Sequence, residues 1–132
     1  MLILAAVAGG AAIGAPCRYL LDRAVQARHG QRFPWGTLLI NLLGSAVLGV
    51  LLGWSAGGSA NSAGSWSSEL VLAAVGSGWC GAFTTYSTFG YETIQLVRAG
   101  LALRAIGNVA CSVFGGLGMA TLGIILGRAL HG

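Results

Sequence analysis

The residues best suited to handling an ion lie in one run. Gly76, Gly78 and Gly81 are followed by four hydroxyl residues, Thr84, Thr85, Ser87 and Thr88, with Tyr86 and Phe89 set among them. Hydroxyls donate as well as accept, so such a cluster can replace part of the water around a small ion. Elsewhere the polar side chains set in apolar sequence are Arg18, Asn41, Asn108 and Ser112, with Glu92 just beyond the hydroxyl run. Covalent catalysis lacks its parts: there is no Ser-His-Asp constellation, and the two histidines, His29 and His131, stand outside the apolar stretches. Cys17, Cys80 and Cys111 are widely separated and show no zinc-type spacing, which leaves them as small packing residues. These features exclude an enzyme and leave binding or passage of an ion or small substrate.

The chain that carries these residues is 132 residues long, 55% hydrophobic and 8% charged, with 23 glycines and a mean hydropathy of +0.79. Soluble domains rarely combine so few charges with so much apolar sequence. A bilayer core about 30 Å thick takes about 20 apolar residues per helix. Four stretches qualify, at about residues 1–21, 35–54, 69–97 and 103–127, and they form a single membrane domain. The expected fold is all-α, with four transmembrane helices. Trp35 and Trp54 bracket the second stretch as interfacial anchors. No Lys or Arg precedes the first apolar run and Ala15-Pro16-Cys17 is a poor cleavage site, so the N-terminus reads as a mature helix.

Asp22 to Pro34 reads as a short basic interfacial loop, residues 55–68 as a Ser-, Gly- and Asn-rich connection, and Ala99-Gly100 as a tight turn joining antiparallel neighbours. Small residues recur four apart in three rows: Ala6, Gly10, Gly14 and Arg18; Asn41, Ser45, Gly49 and Gly53; Arg104, Asn108, Ser112, Gly116 and Ala120. Positions four apart drift slowly round a helix, so each row is a stripe. For the glycines the expected role is close helix packing. The polar members must find partners or face water, as interhelical glue or as the lining of a pathway.

The third stretch is a poor α-helix. Glycine costs about 1 kcal/mol relative to alanine, and Ser and Thr compete for backbone hydrogen bonds. Irregular backbone survives in a bilayer only where protein or a watery cavity satisfies it, so a break here implies a site. Freed carbonyls suit a small cation, and freed N–H groups and hydroxyls suit an anion. The alternative is an intact helix whose threonines bond back to the preceding turn.

Three motifs, in order, carry a family resemblance: Gly10-Ala-Ala-Ile-Gly-Ala-Pro-Cys-Arg18-Tyr19, Gly36-Thr-Leu-Leu-Ile-Asn41-Leu-Leu-Gly44 and Gly81-Ala-Phe-Thr84-Thr85-Tyr86-Ser87-Thr88-Phe89. Together they resemble the CrcB/Fluc family of fluoride channels over essentially the whole chain. The resemblance implies a multi-pass protein of a prokaryotic cell membrane that lets fluoride leave passively and so confers fluoride resistance. It also implies an antiparallel dimer with a broken third helix, two fluoride pathways and a structural Na+ at the dimer centre. On this sequence the Na+ ligands fall on the backbone carbonyls of Gly81 and Thr84, and the pathway falls on Asn41, Tyr86, Phe89, Asn108 and Ser112. Arg18 and Glu92 match charged positions of the family with no settled role. Tyr86 stands where the family usually has phenylalanine, and Asn108 where it often has tyrosine.

Fluoride is small and tightly hydrated, so a pore must offer close donors in exchange for water. The Asn41 amide and the hydroxyls of Thr85, Ser87, Thr88 and Ser112 are such donors. The electropositive ring edges of Tyr86 and Phe89 would face the anion while presenting an apolar wall. A four-helix small multidrug exporter is the alternative transporter, but it needs a carboxylate near the bilayer midplane, and Asp22 lies beyond the end of the first span. A non-transporting membrane assembly protein leaves the hydroxyl-rich run unexplained.

All seven cationic side chains are arginines placed near span ends, which points to anionic lipid headgroups and away from nucleic acid. The connections after the first and third spans hold Arg18, Arg23, Arg28, Arg32, Arg98 and Arg104, whereas the opposite side holds Arg128. Such a bias fixes one orientation. The expected partner is therefore a second subunit of the same family with opposite bias, forming a heterodimer in preference to a homodimer.

Overall fold

A computed structural model describes residues 1–30, 32–57 and 66–130. The connection over 58–65 and His131 lie outside the described residues. Every element among those described is helical: α1 (Leu2–His29), α2 (Trp35–Gly57), α3 (Trp66–Val71), a π-helix (Leu72–Cys80), α4 (Gly81–Phe83), α5 (Tyr86–Arg98) and α6 (Ala102–Ala129). Three of them, α1, α2 and α6, are long and apolar enough to cross a membrane.

The expected loop at Asp22 to Pro34 is helical over its first part, because α1 continues to His29 and carries Pro16 within it. Ala24, Val25, Gln26 and Ala27 hold no helix breaker, and the chain turns only at Gly30, whose φ of 66° is the left-handed conformation that glycine adopts without strain. Pro34 then precedes α2, and its carbonyl accepts from Leu38 N–H. The turn after α5 falls where expected, with Gly100 at φ 75° and its N–H donating to Val97 O.

Glycines set the two main packing seams. Gly49 and Gly53 of α2 lie against the backbone of Ala120 and Ile124 of α6, while Gly123 and Gly127 of α6 lie against Ala46 and Val50 of α2. The paired numbers rise together, so α2 and α6 run parallel in close backbone contact. As expected from the short turn, α6 touches α5, and its most extensive packing is with α2. On the other seam, Gly10 and Gly14 of α1 admit the backbone of Ala74 and Trp79, and Gly78 admits that of Val7. A Cβ at any of these positions would overlap a backbone oxygen, which is why small residues occupy them.

Candidate functional site

Helical geometry stops at Thr84, whose ψ is 157°, and at Thr85, with φ −148° and ψ 124°. Asn41 of α2 meets this extended pair. Its Nδ2 donates to Thr85 O at 3.1 Å, and its Oδ1 accepts from Thr85 N–H at 3.0 Å. The two partners, one acceptor and one donor, fix which end of the amide points where. One N–H of the Asn41 amide remains beyond this pair of bonds.

Those bonds redirect the local ladder. In an α-helix Thr85 N–H would donate to Gly81 O and Thr88 N–H to Thr84 O. Instead Thr85 N–H donates to Asn41, and Thr88 N–H donates to the Thr85 hydroxyl at 3.3 Å. The Gly81 and Thr84 carbonyls thus lack the donors that regular geometry would supply. Both residues line a cavity of about 350 Å³ together with Asn41, Ser45, Thr85 and Tyr86. Carbonyl oxygens without a helical donor are the hard donor type that Na+ takes at an unwound helix, so the chemistry of these two residues fits that ion.

Thr85 caps α5 and anchors a hydroxyl cluster. Its Oγ1 donates to Thr88 Oγ1 at 3.0 Å and lies 3.4 Å from Ser87 Oγ. With its own proton so used, Thr85 leaves the Thr88 hydroxyl free to donate onward. Thr88 and Thr85 line a second cavity of about 170 Å³, shared with Arg18, Asp22 and Thr37. Tyr86 is 86% exposed, and its ring is tilted 45° to that of Phe89 at a centroid separation of 5.9 Å.

Other expected members lie apart from this cluster. Asn108 is 1% exposed and donates to Thr93 Oγ1 at 2.9 Å, while Thr93 in turn donates to Phe89 O at 2.7 Å. This contact ties α6 to α5, the interhelical-glue alternative for Asn108. The Ser112 Oγ is buried without a hydrogen-bond partner. Neither residue lines the cavity that holds Asn41, Gly81 and Thr84. The Glu92 Oε2 is buried without a hydrogen-bond partner, and Thr37 is 2% exposed.

Sequence reasoning missed Thr93, whose hydroxyl accepts from Asn108, and Thr37, a buried hydroxyl residue lining the cavity of Thr85 and Thr88. A signal for Thr93 existed: a threonine next to Glu92, on an amphipathic helix that must face α6. Thr37 sits in the Gly36–Gly44 motif, three residues after Pro34, where a first-turn hydroxyl passes for a capping residue.

Apolar helices of spanning length, joined through glycine seams around a polar, partly extended segment, define the class of helical membrane proteins. Residues 5–124 match the family described as CrcB-like protein, Camphor Resistance (CrcB). The chain is 52% identical over 127 residues to "Fluoride-specific ion channel FluC 1" of Frankia casuarinae, covering 96% of each protein. It is 49% identical to the protein of the same name from Streptomyces avermitilis, covering 94% of each, and 42% identical to "Fluoride-specific ion channel FluC" of Chloroflexus aurantiacus, covering 96% of each. The chain belongs to the CrcB family.

Proposed function

We infer that this protein is a subunit of a fluoride-selective ion channel. The observation that carries the reading is near-full-length identity of about half to relatives named as fluoride-specific channels. Its activity is passive transport, not catalysis. The site supports the anion assignment: free O–H and N–H donors at Thr88 and Asn41 and aromatic rings at Tyr86 and Phe89 stand near the extended threonines, and among the described residues no arginine is hydrogen-bonded to them, Arg18 only sharing a cavity with Thr85 and Thr88. Neutral donors suit an ion that must be partly dehydrated yet released again.

In this reading α3, the π-helix, α4 and α5 form one broken span, so that the chain crosses the membrane four times. Asn41 holds the break open by accepting Thr85 N–H, and the hydroxyls of Thr88 and Ser87 then replace water around fluoride. Ser112, with an unpartnered buried hydroxyl, is a further donor on the path. Asn108 belongs to the same polar row but acts through Thr93. Tyr86, largely exposed on a single chain, becomes a pathway wall when a second subunit covers it.

That subunit is needed on coordination grounds as well. Two carbonyls, from Gly81 and Thr84, are too few for a cation, and a second copy doubles them. Na+ bound there would supply a fixed positive charge beside the anion route. The subunits pair antiparallel, and the arginine bias favours a homologous partner of opposite orientation over a second identical copy. The setting is the cell membrane of a prokaryote. Fluoride efflux from liposomes containing purified protein tests the reading, with chloride as the control anion.

A further inference from the structure

Three cavities, each sharing one lining residue with another, lie between the Arg32 and Arg104 side chains and the extended threonines. The first, about 410 Å³, is walled by Arg32, Arg104, Glu92 and Asp22 among others. The second, about 170 Å³, holds Arg18, Thr88, Thr85 and Asp22. The third, about 350 Å³, contains Asn41, Gly81, Thr84 and Thr85. Asp22 is the residue common to the first and second cavities, and Thr85 is common to the second and third.

Asp22 is held at that neck. Its Oδ2 accepts from Gln26 Nε2 at 2.8 Å. Its Oδ1 is buried with no hydrogen-bond partner and lies against Gly36, so close that any side chain at position 36 would displace it. Only one of its two carboxyl oxygens therefore has a hydrogen-bond donor, at the residue whose side chain lines both cavities.

We propose that Asp22 is an electrostatic brake on anion passage between the arginine-walled vestibule and the Thr85–Thr88 hydroxyls. This rests on the channel reading above. The arginines around the vestibule draw an anion in, and the Asp22 carboxylate opposes its next step. Asp22 thereby sets the rate through this mouth without being a donor to the ion. The shape of the residue is secondary to its charge, so a neutral isostere releases the brake.

The test is fluoride efflux from liposomes for the wild type, Asp22→Asn and Asp22→Ser, each at low and high ionic strength, with thermal unfolding in detergent run alongside. A unit charge about 5 Å from the path, at an effective dielectric of about 40 to 80, corresponds to an increase of about four- to fifteenfold for the neutral variants. The gain should shrink as ionic strength rises from about 0.01 M to about 1 M, because the screening length falls from about 30 Å to about 3 Å. Asp22→Ser keeps the test decisive if Asp22→Asn fails to fold. A wild type that moves no fluoride overturns the channel reading and this inference together. A conducting wild type whose folded neutral variants are unchanged or slower, or whose gain is the same at both ionic strengths, overturns the inference alone.

Discussion

Replacing Asn41 with alanine removes both hydrogen bonds that hold the Thr85 peptide out of the helical ladder. Each such bond contributes about 0.5–1.5 kcal/mol net, and an orphaned buried group costs about 1–3 kcal/mol. Thr85 is buried, but the adjoining cavity of about 350 Å³ has room for water to take over part of the bonding. The expected loss is therefore about 2 kcal/mol, near the middle of these ranges and not at their sum. That loss is spent where the extended segment competes with a closed helix, since Thr85 N–H can then return to Gly81 O. A shift of about 2 kcal/mol is about thirtyfold in that local equilibrium, so fluoride efflux should fall at least about tenfold. Asn41→Asp keeps an acceptor for Thr85 N–H but turns an oxygen toward Thr85 O, and it should be no better than alanine. Efflux from liposomes and thermal unfolding in detergent are the assays. If Asn41→Ala conducts within about twofold of wild type and unfolds at the same temperature, the Asn41–Thr85 clamp does not hold the site open.

Further outcomes follow from particular contacts. Tyr86→Phe should preserve fluoride efflux and Tyr86→Ala should damage it, because the proposed function assigns the contact to the ring edge and not to the hydroxyl; loss on Tyr86→Phe would make the hydroxyl the working group. Asn108→Leu should lower stability by about 1 kcal/mol while sparing most of the efflux, since Asn108 bonds Thr93 between helices; abolished efflux in a stable variant would return Asn108 to the pathway. Gly127→Ala, which sets a methyl group against the α2 backbone, should cost about 1–3 kcal/mol in thermal unfolding, and an unshifted transition would contradict the close α2–α6 seam. Reporter fusions at the C-terminus should report one side of the membrane; equal signals from both sides would favour an antiparallel homodimer.

The helical class and the glycine seams were legible because both follow from local rules. Uncharged runs of spanning length need no tertiary knowledge, and glycines four apart announce close backbone approach, as Gly10, Gly14, Gly49 and Gly53 bear out. The partners of those glycines were not legible, because a stripe states that something packs against it without stating what. So the short turn places α6 beside α5, which it touches, while its glycine seam with α2 is not announced by either stripe.

Within the site, the hydroxyl run and Asn41 could be picked out by type, but not the use each makes of its hydrogen bonds. Asn41, expected to donate to a passing ion, also uses its oxygen and one N–H on Thr85 and keeps its second N–H. Asn108, in the polar row of α6, donates to Thr93 of α5, a partner that spacing on one helix does not announce. The extension of α1 to His29 was hidden by its charge: Asp22, Arg23 and Arg28 look like a loop at a membrane surface, yet none of them breaks a helix.

Fluoride efflux from liposomes bearing the purified protein, measured with a fluoride electrode against chloride as control, tests the central claim most directly. The channel account predicts rapid passive loss of a fluoride gradient with the chloride gradient retained. A folded, membrane-inserted protein that leaves the fluoride gradient intact, both alone and with a homologous subunit of opposite orientation, would contradict it.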